Sequence, residues 1–166
     1  MRLQGDRREL LAVVFWDAEG VIYTEWFKSS RKIKGFSGDL YADILGRMHQ
    51  SLGEKRPGKI ERGVLLLQDN APCHKEKNAM KKLDDLGIKV VAHAPYSPDM
   101  APGDFYLFRY LKNYIEGVVF DDQEQLASEI ERYFDSKPKE WYARGIDILE
   151  DQLEAVIKHG GEYPPQ

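Results

Sequence analysis

The segment Val-Leu-Leu-Leu-Gln-Asp-Asn, residues 64–70, is the strongest indication of the fold class of this chain. Its four apolar residues are typical of a central strand that is buried on both faces of a sheet. The polar residues that follow predict that the strand opens into a site, because open α/β sheets form their sites at the carboxyl ends of strands. We therefore expect residues 64–67 to be a central strand and Asp69 to lie at a functional site.

Upstream of this segment, the sequence predicts a β-hairpin and a helix. Residues 10–16 and 21–27 are rich in β-branched and aromatic side chains, and residues 17–20 between them have turn chemistry. A helix that starts near Ser37 or Asp39 should follow. Its core-facing stripe has helical spacing and consists of Tyr41, Ile44, Leu45, Met48 and Leu52.

The segments on either side of the central strand also have clear patterns. Residues 57–58, Pro-Gly, predict a basic loop before it. After it, a helix over 75–86 that stops at Gly87 is predicted by the spacing of Ala79, Met80, Leu83 and Leu86. Residues 88–92 are typical of another short strand.

The C-terminal half is predicted to be helical after one stiff loop. Residues 93–104 contain three prolines, which exclude regular pairing through most of this segment. A helix over 104–115 should follow, with Asp104 at the edge of the stripe formed by Phe108, Leu111 and Ile115. Two further helices are expected, one from about Asp122 with Leu126, Ile130 and Phe134, and one from about Pro138 with Trp141, Ile146, Leu149, Leu153 and Val156.

The composition limits the class of protein. A length of 166 residues with 42 % hydrophobic and 31 % charged residues indicates one soluble domain with a core. Cys73 is the only cysteine, so the chain can form no internal disulfide and no thiolate zinc site, and a reducing compartment is expected. The apolar run 10–16 is too short to span a bilayer, and we expect neither a secretory signal nor a membrane anchor.

The net charge of −4 argues against a chain that binds DNA unaided, because phosphate contacts are made mainly by clustered Lys and Arg. If DNA is the substrate, another segment is expected to help deliver it. Each of three local basic patches could contact nucleic acid or form an ordinary solvated face. They are Lys28, Arg31, Lys32 and Lys34; Lys55, Arg56, Lys59 and Arg62; and Lys75, Lys77, Lys81 and Lys82.

Asp69 and Asp104 are the two carboxylates that the residues themselves single out. Hard cations such as Mg²⁺ prefer oxygen ligands, and two ions about 4 Å apart can promote phosphoryl transfer. The alternative is structural, with Asp69 ending a strand and Asp104 satisfying free N–H groups at a helix start.

Two motifs resemble those of mariner transposases. The segment LLLQDNAPCH, residues 65–74, is similar to the family's strand followed by Asp-Asn. The segment AHAPYSPDMAPGDFYLF, residues 92–108, is similar to its Tyr-Ser-Pro-Asp-x-Ala-Pro-x-Asp block, and the 34 residues between Asp69 and Asp104 match the family's spacing. The resemblance covers nearly the whole chain, since it extends to VFWDAEGVI, KRPGKIERGVLLLQDN, LK-x-x-x-x-G-x-x-F and YARGIDILEDQ.

The resemblance implies a ribonuclease H-like α/β fold, a mixed sheet flanked by helices. It implies metal-dependent cleavage of transposon DNA and joining to target DNA, with Asp69 and Asp104 as the second and third of three carboxylates that hold Mg²⁺ or Mn²⁺. Asn70 and His74 could orient waters or phosphate oxygens, although His74 could equally stabilise the following helix. Asp99 is expected to brace the proline loop. The implied partners are DNA and a second transposase subunit, and the implied location is the nucleus.

One part of the family pattern has no counterpart here. The family's first carboxylate lies on an opening strand farther upstream than the 68 residues before Asp69 extend. We therefore expect residues 1–166 to be a partial catalytic domain without its first strand and without the N-terminal helix-turn-helix modules. Asp17 has ordinary turn chemistry and is not expected to replace the missing ligand.

Without that carboxylate, the two-metal site should be incomplete and the chain should have little or no cleavage activity. An exposed sheet edge also predicts marginal stability or oligomerisation. The alternative is a remnant that binds nucleic acid or a transposase subunit without catalysis.

Overall fold

The computed structural model of the chain describes residues 2–5, 8–28, 36–91 and 100–158. Its strands are β1 Arg2–Gly5, β2 Arg8–Asp17, β3 Gly20–Lys28, β4 Val64–Leu67 and β5 Ile88–Val91. Its helices are α1 Gly38–Lys55, α2 Pro57–Arg62, α3 Pro72–Lys75, α4 Lys77–Asp85, α5 Arg109–Ile115, α6 Gln123–Asp135 and α7 Lys139–Lys158. A π-helical segment, Gly103–Phe108, leads into α5.

The β2–β3 hairpin confirms the predicted pair of strands. The two strands pair antiparallel from Asp17 opposite Gly20 onward, with an irregularity between Phe15 and Trp16. Gly20 has a φ of 132°, which glycine adopts at little cost, so the short turn ends where the sequence predicts.

Side chains of β2 alternate between two hydrophobic cores. Val13 and Phe15 pack into the first core, whose buried residues are Phe15, Ile22, Tyr41, Ile44, Leu45, Met48, Leu52, Ala79, Leu83 and Ile88. Val14 and Trp16 pack against the second core, whose buried residues are Leu10, Leu107, Leu111, Leu126, Ile130, Tyr133, Phe134 and Tyr142. Residues 10–16 of β2 are continuously apolar, as expected of a strand that is covered on both faces.

Helix α1 covers the first core as predicted. All five residues of its predicted stripe are buried. Ser37, rather than Asp39, is the N-cap, since its Oγ accepts a hydrogen bond from the Leu40 backbone N–H at 3.2 Å. Ser51 Oγ and Lys55 Nζ both donate to the Ile22 carbonyl oxygen, at 2.7 and 2.9 Å, and thereby fix α1 across β3.

Strands β4 and β5 pair in parallel, but the prediction that β4 is buried on both faces is wrong. Val64 and Leu66 pack against the first core, whereas Leu65 is 71 % exposed. Successive side chains of a strand point to opposite faces, and in the described part of the chain only one face of this pair is packed. An apolar run alone does not distinguish one buried face from two.

The described strands form two sheets, one of order β1-β2-β3 and one of order β4-β5. The sequence did not predict β1, which pairs antiparallel with residues 8–11 of β2. Among the described residues, the rest of that edge of β2 has no strand partner. The antiparallel and parallel parts of the fold are therefore separate sheets here, and α1 contacts both β3 and α4.

Two segments next to β4 differ in detail from their predictions. The predicted loop at residues 57–58 begins helix α2, because proline fits the first helical position, where its missing N–H costs nothing. The predicted helix over 75–86 is two helices, α3 and α4, with Glu76 in an extended conformation between them. Met80 is 43 % exposed, so it does not share the buried face of Ala79 and Leu83.

Helices α6 and α7 confirm the last two predictions. Asp122 caps α6 by accepting from the Gln125 backbone N–H at 2.7 Å. Tyr142 of α7 is buried and donates its hydroxyl to the Phe134 carbonyl oxygen at 2.8 Å, which joins the two helices. Leu153, predicted to face the core, is 40 % exposed. None of the helices in the described ranges has the length and apolar character that a membrane span requires.

Candidate active site at the end of strand β4

Asp69 lies just beyond the carboxyl end of β4, as predicted, with Gln68 between them. Its Oδ1 accepts a hydrogen bond from the Ala71 backbone N–H at 3.1 Å and lies 2.8 Å from Nδ1 of His74. The Asp69 side chain is nevertheless 62 % exposed. The carboxylate is therefore held in one orientation while it remains open to solvent.

His74, in helix α3, is the partner of Asp69. Its Nδ1 also lies 3.1 Å from the Asp69 carbonyl oxygen. Both of these oxygens can only accept, so Nδ1 carries the proton in this arrangement. The two roles predicted for His74 were to orient waters or to stabilise a helix, and the structure adds direct contact with Asp69.

Tyr41 of α1 supports this pair from the first core. Its ring lies 4.3 Å from the His74 ring, centroid to centroid, and its hydroxyl donates to Gln68 Oε1 at 2.5 Å. Burial raises the pKa of Tyr41, so the hydroxyl remains a donor. The sequence indicated Tyr41 only as a core residue. The available signal was a phenol hydroxyl within an aliphatic stripe, which needs a buried partner.

Asp104 is the second residue of the π-helical segment, and its backbone N–H donates to the Ala101 carbonyl oxygen at 2.8 Å. The carboxylate is exposed, whereas Tyr106 and Leu107 are buried. A π-helical segment contains more residues per turn than an α-helix, so the predicted α-helical stripe does not place Asp104 correctly.

The structure brings the side chains of Asp69 and His74 into contact. Asn70, the next residue after Asp69, is exposed. Residues 92–99, which include Asp99, lie outside the described residues. Asp104 follows this segment in the chain. Within the described ranges, no three His, Cys, Asp or Glu side chains form a cluster suited to a metal ion.

Asp17 belongs to an ion-pair network at the β2–β3 turn. Its Oδ2 lies 2.6 Å from Lys59 Nζ and 3.4 Å from Arg56 Nε, and its Oδ1 accepts from the Glu19 backbone N–H at 2.8 Å. Burial alone would raise the pKa of Asp17, but the Lys59 ammonium, the Glu19 N–H and Arg56 together lower it. These contacts give Asp17 the turn role that the sequence predicted.

The basic patches differ in what they contact. In the second patch, Arg56 and Lys59 pair with Asp17 and Glu19, Lys55 binds the carbonyl oxygen of Ile22, and Arg62 donates to the Gly58 carbonyl oxygen. These four cations serve the fold. In the third patch, Lys75, Lys77 and Lys81 are exposed on α3 and α4. Most of the first patch lies outside the described residues.

Comparison with known proteins agrees with the sequence motifs. A family model described as transposase (partial DDE domain) matches residues 4–62. The Mariner Mos1 transposase of Drosophila mauritiana is 32 % identical over 158 residues, which cover 94 % of this chain and 45 % of that protein. The histone-lysine N-methyltransferase SETMAR of Homo sapiens is 28 % identical over 157 residues, which cover 94 % of this chain and 22 % of that protein. The chain thus spans less than half the length of these curated relatives.

Solved structures give the same result for the fold. A structure of the Mos1 transposase catalytic domain with raltegravir and Mn is similar with a TM-score of 0.90 and 30 % identity, covering 99 % of this chain and 82 % of that one. The Mos1 mariner paired end complex with Mn is similar with a TM-score of 0.86 and 30 % identity, covering 98 % of this chain and 48 % of that one. The predicted ribonuclease H-like α/β fold is confirmed, and the chain belongs to the mariner-type DNA transposases, as part of their catalytic domain.

Proposed function

We propose that this chain forms part of a transposase catalytic domain that cuts DNA strands and joins them to target DNA, with Asp69 and Asp104 as ligands for divalent metal. The observation that carries this proposal is the state of Asp69. Its carboxylate is fixed at a strand end by Ala71 and His74, yet it is largely exposed. A carboxylate that is both held in one orientation and open to solvent can bind a cation without rearrangement.

The donor set fits Mg²⁺ or Mn²⁺. Both proposed ligands are exposed carboxylates, and oxygen ligands are what these hard cations prefer. The two described contacts of the Asp69 side chain fall on Oδ1, so Oδ2 is the oxygen that we assign to a cation. Bound divalent metal would supply positive charge for phosphoryl transfer, while Asp69 and Asp104 fix where that charge sits. Mos1 structures with Mn and with Mg support this choice of metal.

The proposed substrate is DNA. The exposed lysines of the third patch, Lys75 and Lys77, follow Asp69 closely along α3 and α4, and they can attract phosphate near the carboxylate. Because the chain as a whole has a net charge of −4, we expect this attraction for phosphate only near the lysines and not over the whole surface. The similarity to a Mos1 paired end complex supports DNA ends and a second transposase subunit as partners.

The domain organisation and cellular location are part of the proposal. We infer that residues 1–166 act as a piece of one catalytic domain and that the two-metal site of this piece is incomplete. Nuclear residence follows from a chromosomal DNA substrate, and both curated relatives come from eukaryotes. On this view, the 166-residue chain alone cuts DNA weakly or not at all.

Metal binding tests the proposal directly. We would titrate Mn²⁺ into the 166-residue chain by calorimetry and compare Asp69→Ala, Asp104→Ala and Asp147→Ala, the last being an exposed aspartate on α7. Binding that is lost in the first two variants and kept in the third supports the assigned ligands. If the folded parent does not bind Mn²⁺ at millimolar concentration, the proposed catalytic role is wrong, and a non-catalytic remnant that binds nucleic acid or a transposase subunit is favoured.

A further inference from the structure

We propose that Tyr41 is a positioning residue for Asp69, acting through His74 and Gln68. This inference rests on the proposed function, because it takes Asp69 to be a metal ligand. It adds a residue from helix α1, far from Asp69 in sequence, to the machinery of the site.

The first step is the contact between Tyr41 and His74. The two rings lie 4.3 Å apart between centroids with an interplanar angle of 37°, so the tyrosine ring covers one face of the imidazole. His74 retains only 17 % of its side-chain exposure, and Tyr41 retains 2 %. A ring in the first core thus restricts how the imidazole can turn.

The second step is the contact between His74 and Asp69. The imidazole Nδ1 lies 2.8 Å from Oδ1 of the carboxylate and 3.1 Å from the carbonyl oxygen of the same residue. Rotation of the ring would break both contacts at once. A restricted imidazole therefore keeps Oδ1 in contact with His74 and leaves Oδ2 for a cation, as groups that hydrogen-bond to metal ligands do in metal sites.

The third step is the hydrogen bond to Gln68. The Tyr41 hydroxyl donates to Gln68 Oε1 at 2.5 Å, and Gln68 is the residue immediately before Asp69. Tyr41 therefore holds the chain on both sides of the carboxylate, through Gln68 before it and His74 after it. A buried hydroxyl needs a hydrogen-bond partner, and here that partner is the residue next to the carboxylate.

The experiment measures Mn²⁺ affinity of the 166-residue chain by calorimetry, together with stability in urea. We expect Tyr41→Leu to weaken Mn²⁺ binding by about tenfold, as His74→Ala should, since both release the imidazole contact. Tyr41→Phe keeps the ring and loses one hydrogen bond, so we expect Mn²⁺ binding to weaken by about threefold. If Tyr41→Leu does not fold, Tyr41→Phe carries the test.

Tyr142→Phe is the matched control. Tyr142 is 3 % exposed and also donates its hydroxyl to one buried acceptor, but it lies in the second core. It should lose stability comparably to Tyr41→Phe and keep the parental Mn²⁺ affinity. Equal Mn²⁺ affinity in Tyr41→Phe and Tyr142→Phe would overturn the proposal.

A double variant isolates the route through His74. Once His74→Ala has removed the imidazole, only the Gln68 contact of Tyr41 remains to be lost, so Tyr41→Leu/His74→Ala should bind Mn²⁺ only about threefold more weakly than His74→Ala alone. Losses that multiply to about a hundredfold in the double variant would contradict the route through His74.

A readout without metal separates this inference from the proposed function. Nitrogen NMR of the parent should show His74 protonated at Nδ1, and Tyr41→Leu should show a mixture of tautomers. Failure of Asp69→Ala to affect Mn²⁺ binding would refute the metal role, while the NMR comparison still decides whether Tyr41 positions His74. An unchanged His74 spectrum in Tyr41→Leu would refute the positioning role.

Discussion

Lys59 Nζ lies 2.6 Å from Asp17 Oδ2 and joins helix α2 to the turn of the β2–β3 hairpin. The two residues are 42 positions apart in the chain, and Asp17 retains 16 % of its side-chain exposure. A partly buried pair of this kind contributes more than an exposed one, because solvent screens it less. It fixes the hairpin against the helix that precedes β4, and so it connects the two sheets.

Replacement of this carboxylate should reveal a pH dependence. Asp17→Asn keeps an oxygen for the Glu19 N–H and loses the charge opposite Lys59, so we expect a loss of about 1 to 2 kcal/mol in the free energy of unfolding at neutral pH. The folded-state pKa of Asp17 is lowered from 3.8. Its contribution is therefore present above pH 3.8 and is lost as the pH falls through the folded pKa.

Urea denaturation of both proteins at neutral pH and below pH 3.8 measures this effect. The difference between parent and variant should shrink in acid. A difference that stays constant across this range would show that the ion pair is not its cause.

Truncation in the first core should be costly. Leu45 is 0 % exposed, and Leu45→Ala should lower the free energy of unfolding by about 3 kcal/mol, since it leaves a cavity. Leu65→Ala is the matched control, because it removes the same atoms from a side chain that is 71 % exposed. The control should stay within about 0.5 kcal/mol of the parent in urea denaturation. A large loss from Leu65→Ala would indicate that another surface covers β4 in solution.

Two helical glycines should respond in opposite directions. A Cβ at Gly145 of α7 would lie 2.6 Å from Tyr106 Cδ1 and 3.0 Å from Trp16 Cη2, so Gly145→Ala should cost about 1 to 3 kcal/mol despite the better helix propensity of alanine. A Cβ at Gly46 of α1 would meet only the flexible end of Lys82, at 3.2 Å. Gly46→Ala should therefore stabilise by about 0.5 kcal/mol. Thermal denaturation of the two variants measures these changes in stability. A stabilised Gly145→Ala variant would contradict the close packing of α7.

Charge reversal in the third patch should weaken DNA binding. If Lys75 and Lys77 contact phosphate, Lys75→Glu/Lys77→Glu should raise the Kd for a DNA duplex by about tenfold and lower the salt dependence by about one unit of slope per lost contact. Lys112→Glu/Lys158→Glu makes the same change of charge on α5 and α7. Fluorescence anisotropy over a salt series distinguishes them. Equal losses in both variants would indicate an effect of net charge rather than of this patch.

Short-range patterns were enough to predict much of the fold and part of the site. The hairpin, helix α1 and helices α6 and α7 follow from periods of two and 3.6 residues and from capping residues such as Ser37 and Asp122. The motifs at residues 65–74 and 92–108, together with the spacing of Asp69 and Asp104, were enough to indicate the family. Each of these features depends on residues close together in the chain, and a linear pattern records such relationships.

Other features arise only from long-range packing. In the described structure only one face of the β4–β5 pair is packed, and Leu65 is exposed because it lies on the other face. Asp104 is exposed within a π-helical segment. Tyr41 meets His74, and Lys59 meets Asp17, across separations that no local period encodes. Side-chain identity determines which contacts are favourable, but the arrangement of helices and strands determines which side chains meet.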